Sequence, residues 1–193
     1  MIIKPKKKFA QYWLKSESAL NEIILASQLK SSDKILEIGS GTGILTTRLL
    51  PAINQLLAIE IDRNLCKLLV KKYGEKTHFL LLEGDFLELD LTTLLTGKLA
   101  VFANYNKVVA NIPYNITGPI IERLLGTISK PSEHFLESIV LLIQKEVANR
   151  LTAIPNNKDY GALTLKVQYL AECQIVCNVP AKDFYPRPKS KAD

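Results

Sequence analysis

The strongest constraint in the sequence is an alternation. Short apolar runs of strand length repeatedly give way to longer stretches whose apolar residues recur at helical spacing. Lys34–Ile38 (KILEI), Gln55–Glu60 (QLLAIE), Phe79–Leu82, Lys107–Ala110, Glu137–Ile143 and Gln174–Val179 read as six strands. Between them, Ser16–Leu29 carries Leu20, Ile23 and Ile24 on one stripe, and Ile44–Leu50 reads as a helix that stops near Pro51. Asp62 is placed to cap a helix that buries Leu65, Leu68 and Leu69. Pro119–Leu125, a helix with Val147, Leu151 and Ile154 at helical spacing, and Tyr160–Ala171 continue the pattern. Such an alternation predicts an α/β fold, a mostly parallel sheet with helices on both faces. Residues 90–106 and 126–136 read as connections, and 193 residues suffice for one such core.

In a sheet of this kind ligands bind beyond the carboxyl ends of the strands, near the point where the strand order reverses. The residues just after each strand therefore carry the chemistry. Gly39-Ser40-Gly41-Thr42-Gly43 follows the first strand, and position 44 is Ile, so the dinucleotide fingerprint G-x-G-x-x-G is not met. Glu60 ends the second strand about 20 residues after Gly39, where an acid can accept hydrogen bonds from both hydroxyls of a ribose. Gly84-Asp85-Phe86 follows the third strand, and Asp85 can accept from an adenine amino group. A glycine loop, a ribose acid and a base acid on successive strand ends describe a site for an adenosine with a small polar tail, which suits S-adenosylmethionine.

The fourth strand then runs into Asn111-Ile112-Pro113-Tyr114 (NIPY). The exocyclic nitrogen of adenine is a poor nucleophile because its lone pair is delocalised into the ring. The Asn111 side-chain oxygen and a nearby backbone carbonyl can accept its two N–H bonds and hold it in line with a methyl donor. Tyr114 offers a face on which an extruded base can stack, worth about 1–3 kcal/mol. Such chemistry requires neither a metal nor a covalent nucleophile, and His78 and His134 are isolated in sequence.

Composition bears on partners and compartment. A net charge of +6 fits a polyanion partner without demanding one. Apolar runs such as Ile139–Ile143 fall far short of the roughly 20 residues of a membrane helix, so no membrane span is expected. The N-terminus MIIKPKKKFAQYW has lysines with no apolar stretch after them, unlike a secretory signal. Cys66, Cys173 and Cys177 are odd in number and show no CxxC; on one strand face, 173 and 177 would stand about 13 Å apart, beyond disulfide reach. Reduced cysteines in a cytosolic protein follow. Lys4, Lys6, Lys7 and Lys8 beside Phe9, Tyr12 and Trp13 suit either an RNA grip or a solvated tail, and Lys145 and Arg150 read as surface charge.

Taken in order, KKKFAQYWL, LEIGSGTGILT, IEIDR, GDF, NIPYNIT, QKEVANRL, YGAL and FYPRPK resemble the N-terminal catalytic domain of the bacterial small-subunit rRNA adenine dimethyltransferases, the family that includes the kasugamycin-resistance methyltransferase. The resemblance runs from Lys6 to Lys189. It implies a Rossmann-like class I methyltransferase fold, with a basic N-terminal segment at 1–15 and an S-adenosylmethionine-dependent domain at 16–189. It also implies site residues: position 12, Leu14 and Gly39 toward the cofactor, Glu60 on its ribose, Asp85 on its adenine, Asn111 on the target amine, and Tyr114 and Phe184 on the two faces of the target base. The implied reaction is transfer of two methyl groups to N6 of each of two adjacent adenines in the 3′-terminal hairpin of small-subunit rRNA. The implied partner is the immature 30S particle, met by a cytoplasmic monomer that uses no metal. Position 12 is Tyr where the family usually has Asn or His, and Ser40 replaces a common Pro. After PRPK the family continues into a final strand and a helical domain, whereas this sequence ends Ser190-Lys191-Ala192-Asp193, so weak cofactor binding and slow transfer are expected. The rival readings are a large-subunit (23S) rRNA adenine methyltransferase, which shares NIPY, and a cofactor- or RNA-binding relic without turnover.

Overall fold

The computed structural model describes residues 4–6 and 9–188. Lys7, Lys8 and the terminal stretch from Lys189, which entered the sequence reading, lie outside the described residues. In chain order the elements are β1 (Trp13–Leu14), α1 (Glu17–Ala26), β2 (Lys34–Ile38), α2 (Ile44–Leu49), β3 (Gln55–Glu60), α3 (Arg63–Tyr73) and β4 (Phe79–Glu83). There follow α4 (Leu91–Leu94), β5 (Lys107–Asn111), α5 (Thr117–Leu125), β6 (Ser138–Leu142), α6 (Lys145–Leu151), α7 (Ala162–Leu170) and β7 (Phe184–Tyr185). The caps act as their residue types dictate. Ser16 Oγ accepts from the Ala19 N–H at the start of α1, and Asp62 accepts from the Asn64 N–H at the start of α3.

Five strands form one parallel sheet in the order β4-β3-β2-β5-β6. The chain steps outward from β2 to β4, then returns to lay β5 against the other side of β2. The order therefore reverses between β2 and β5, where the crevice of such a sheet opens. Both faces are apolar because successive side chains alternate. Ile35, Leu56, Ala58 and Val109 pack with Leu20 and Ile23 of α1 and Leu45 and Leu49 of α2. Leu36, Ile38, Leu57, Ile59 and Val108 pack on the other face with Ile120 and Leu124 of α5 and with Phe86 and Phe102.

The two-residue strands β1 and β7 pair antiparallel, Trp13 with Tyr185 and Leu14 with Phe184, and the Lys15 N–H extends the ladder to Asp183 O. This stitches the N-terminal segment to the FYPRP stretch. Three expectations are corrected. Residues 174–179 form no strand, because β6 meets only β5 among the described residues and no neighbour offers them a ladder; Ile175 and Val176 stand 44% and 49% exposed. Cys173 and Cys177 are accordingly not on a common strand face, and all three cysteines are free. The helix expected to bury Ile154 ends at Leu151, leaving Ile154 exposed after the turn.

Candidate active site

The carboxyl ends of β2, β3 and β5 and the N-terminal residues 9–14 enclose one cavity. Its floor is the glycine loop. Gly39 sits at φ +72°, and a Cβ there would lie 3.7 Å from Asn111 O, so the loop runs directly beside the end of β5. Gly43, at φ +83°, is pressed onto α3: a Cβ there would come within 2.9 Å of Leu69 Cδ2 and 3.2 Å of the Tyr73 ring. Only glycine meets both the conformation and the approach.

Glu60 is 4% exposed and lines the cavity. Its Oε2 accepts from the Gly41 N–H at 2.8 Å and its Oε1 from the Asp62 N–H at 2.8 Å, so one carboxylate fixes both loops. Burial raises its pKa above the usual carboxylate value, and these N–H donors offset part of that rise. Beside it, Asp62 takes Lys6 Nζ at 2.7 Å and Gln11 Nε2 at 3.3 Å. Burial works against the Asp62 charge, but the hydrogen bonds from Lys6, Asn64 and Gln11 outweigh it and hold the carboxyl below its ordinary pKa. Lys6 is thus engaged with an acid and does not present a free cation to phosphate, as the tail reading had allowed.

Asn111 ends β5 and also lines the cavity. Its Nδ2 donates to Tyr12 O at 3.3 Å, and its Oδ1 has no partner among the described residues. Pro113 holds φ at −60° and starts the short 3-10 turn Tyr114–Ile116. The Tyr114 ring faces the ring of Tyr12, centroids 5.3 Å apart and planes inclined by 16°. Burial, with Tyr12 and Glu146 adding to it, pushes the Tyr114 hydroxyl up to about 12, so the phenol is neutral at physiological pH.

The structure thus gathers Tyr12, Leu14, Gly39, Glu60, Asn111 and Tyr114 around one cavity. Asp85 and Phe184 are not among its lining residues. Asp85 follows the strand that pairs with β3, but its Oδ1 accepts from the Leu87 N–H at 2.9 Å. Phe184 is buried in the core with Leu14. Trp13, read from the sequence only as a stacking aromatic, and Glu37, which the sequence did not single out, also line the cavity. Trp13 Nε1, Glu37 Oε1 and Ser40 Oγ are buried without a hydrogen-bond partner among the described residues. Glu37 Oε2 accepts from Thr46 Oγ1 at 2.6 Å, and burial pushes the Glu37 carboxyl up to about 8.

A larger groove of about 630 Å³ lies between α5 and α7. Its charged groups are spoken for: Arg123 donates to the carbonyls of Leu87 and Leu89, and Lys166 pairs with Glu122. No polar atoms converge there as they do at the strand ends. Among the described residues no cluster of three or more His, Cys, Asp or Glu is arranged to hold a metal ion, and no helix is long and apolar enough to cross a membrane.

A parallel sheet with this reversal point, a glycine loop, a buried strand-end acid and an NIPY corner define a methyltransferase that uses S-adenosylmethionine. Solved structures agree: a dimethyladenosine transferase from Plasmodium falciparum superposes with a TM-score of 0.77 at 35% identity, covering 91% of this chain and 59% of that one. The 23S rRNA methyltransferase ErmE gives 0.73 at 25% identity, covering 92% and 65%. The ribosomal RNA adenine dimethylase family matches residues 2–192, and the chain belongs to it. Ribosomal RNA small subunit methyltransferase A from Nostoc sp. is 60% identical over 188 residues, 97% of this chain and 69% of that protein. The protein of the same name from Picosynechococcus sp. is 57% identical over 187 residues, covering 97% and 68%.

Proposed function

We propose that the chain transfers methyl groups from S-adenosylmethionine to N6 of two adjacent adenines in the 3′-terminal hairpin of small-subunit rRNA, acting as a cytoplasmic monomer on the immature 30S particle. The observation that carries this reading is the meeting around a single cavity of Glu60, the Gly39 loop and an Asn111 Oδ1 that has no partner among the described residues. The cavity also suits the donor's charged tail. Trp13 Nε1 is a buried donor with no acceptor among the described residues, so a ligand carboxylate complements it.

When bound, S-adenosylmethionine supplies a methyl group on a sulfonium, already a strong electrophile. The protein's task is position. Glu60, oriented by two backbone N–H groups, accepts from the ribose hydroxyls. Asp85 accepts from the cofactor's adenine, and Gly39 and Leu14 bound its methionine end. Asn111 Oδ1 accepts one N–H of the target amine and a carbonyl of the NIPY corner the other, which aligns the nitrogen and favours its rehybridisation. Tyr114 stacks on the extruded base, and Phe184 stands behind the N-terminal segment that closes the site.

Undermethylated small and large ribosomal subunits, incubated with cofactor labelled in the methyl group, test this. Label in small-subunit rRNA at adjacent adenines is expected. Label in 23S rRNA, or binding without transfer, defeats the proposal. Asn111→Ala should lower transfer by about 100- to 1,000-fold with little loss of cofactor affinity; a collapse of affinity instead would show that Asn111 serves the cofactor.

A further inference from the structure

Two rings cannot occupy one face, and the face of Tyr114 is taken by Tyr12. The centroid separation of 5.3 Å and inclination of 16° are those of an offset stack, the arrangement a base adopts on an aromatic side chain. Resting on the reading that the target adenine stacks on Tyr114, we propose that Tyr12 is a built-in surrogate for that base, which the RNA must displace, so that Tyr12 sets how readily substrate is accepted.

Three further observations point the same way. The backbone of Tyr12 is held by the residue that meets the target amine, since Asn111 Nδ2 donates to Tyr12 O at 3.3 Å. One ring and one carbonyl of residue 12 therefore engage the two residues that would engage the adenine. Next, residues 9–14 form one wall of the cavity, whose free volume is about 80 Å³. Sites for small molecules usually offer about 300–1,000 Å³. Admission of a nucleoside thus requires residues 9–12 to withdraw, and Tyr12 leaves with them. Finally, the ladder to β7 begins at Trp13, one residue beyond, so Tyr12 can swing away while the anchor at Trp13–Leu14 holds.

The surrogate fixes the sign of an otherwise surprising result: removing an aromatic ring from the site improves substrate binding. Tyr12→Ala and Tyr12→Leu both keep the backbone carbonyl used by Asn111, and the leucine preserves apolar contact with the core should alanine loosen the fold. With labelled cofactor and undermethylated small subunits, both variants should lower the KM for the particle by about 3- to 10-fold, the affinity of one aromatic stack. A hairpin RNA carrying 2-aminopurine at the target position should be quenched more strongly by Tyr12→Ala than by the unsubstituted chain, and Tyr12→Ala/Tyr114→Ala should lose that gain. A particle KM that is unchanged or raised while the unsubstituted chain transfers label overturns the surrogate and leaves the methyltransferase reading standing. A rise confined to the KM for cofactor overturns it too, and makes Tyr12 a cofactor contact. If no form of the chain transfers label or quenches the hairpin, the reading of the target site falls and the surrogate falls with it.

Discussion

Lys107→Met isolates stability from chemistry. Lys107 opens β5, is 4% exposed, and spends all three ammonium donors: on Asp33 Oδ2 at 2.8 Å, Gln28 O at 2.7 Å and Ser27 O at 3.2 Å. Asp33, 1% exposed, also takes the Lys30 N–H and Asn106 Nδ2. Burial opposes its charge, but the bonds from Asn106, Lys107 and Lys30 prevail and keep its pKa below the ordinary value. Methionine fills the space and removes the cation, leaving a buried carboxylate unpaired and two carbonyls without a donor. That loss costs about 3–5 kcal/mol, roughly a 6–20 °C fall in Tm for a chain of this size. In the parent, the Asp33 contribution is present above its unfolded pKa of 3.8 and fades as pH falls through the lower folded value. In the variant the uncompensated carboxylate prefers its proton, so the deficit should shrink as pH drops from 7 toward 5. Lys107 stands at the opposite end of β5 from Asn111, about 13 Å along the strand, so the cavity is not touched. Urea unfolding followed by circular dichroism at both pH values measures the effect, with Asp33→Asn/Lys107→Met as the control that should recover part of it. A single variant within 1 kcal/mol of the parent, or a double variant worse than the single, would refute the reasoning.

The remaining predictions concern the site and its supports. Glu37, with its pKa raised by burial from 4.5 to about 8, binds its proton more tightly when folded. The parent's stability should therefore fall between pH 5 and 8 by about 4 kcal/mol on this account; Glu37→Gln should flatten that slope in denaturant titrations, and an unchanged slope would show that Glu37 is ionised. Gly43→Ala combines a φ of +83° with a Cβ 2.9 Å from Leu69 and should cost about 2–4 kcal/mol, with weaker cofactor binding by calorimetry; a melt like the parent's contradicts it. Phe184→Ala should cost about 3–5 kcal/mol as a buried core ring, and a variant with parental Tm and impaired RNA binding would instead make Phe184 a wall of the base site.

The elements read most securely from sequence were those whose partners lie on both faces. KILEI and QLLAIE are buried above and below, so their uninterrupted apolar character and flanking turn residues marked β2 and β3 residue for residue. Gln174–Val179 carries the same local pattern, yet a strand is defined by the neighbour it pairs with, and residue chemistry cannot announce that neighbour. That Glu60 and Asn111 would meet at one cavity was legible because both end strands beside the reversal point, where such a sheet opens its crevice. Asp85 follows β4, one strand further from the reversal point; its Oδ1 accepts from the Leu87 N–H, and it is not among the residues that line the cavity. The stack of Tyr12 on Tyr114 and the burial of Trp13 Nε1 were not legible. They depend on β1 and β7, two residues each, too short for any periodicity and paired across nearly the whole chain.

What distinguishes this cavity from the larger groove between α5 and α7 is the way its polar groups are held. Each strand-end side chain is fixed by the backbone of a different segment: Glu60 by the N–H groups of Gly41 and Asp62, Asn111 by the carbonyl of Tyr12. For Glu60 the cost of immobilising the side chain is met during folding, so it is not charged again when a ligand binds. The same bonds couple the loops. Gly41 reports to Glu60, and Asn111 to the segment that also contacts Asp62 through Gln11. A substitution at any one of them should therefore disturb binding on both sides of the cavity. Single changes at Glu60 and Asn111 are expected to be non-additive in a double-mutant cycle, whereas Glu60 and Lys166, which share no partner, should add.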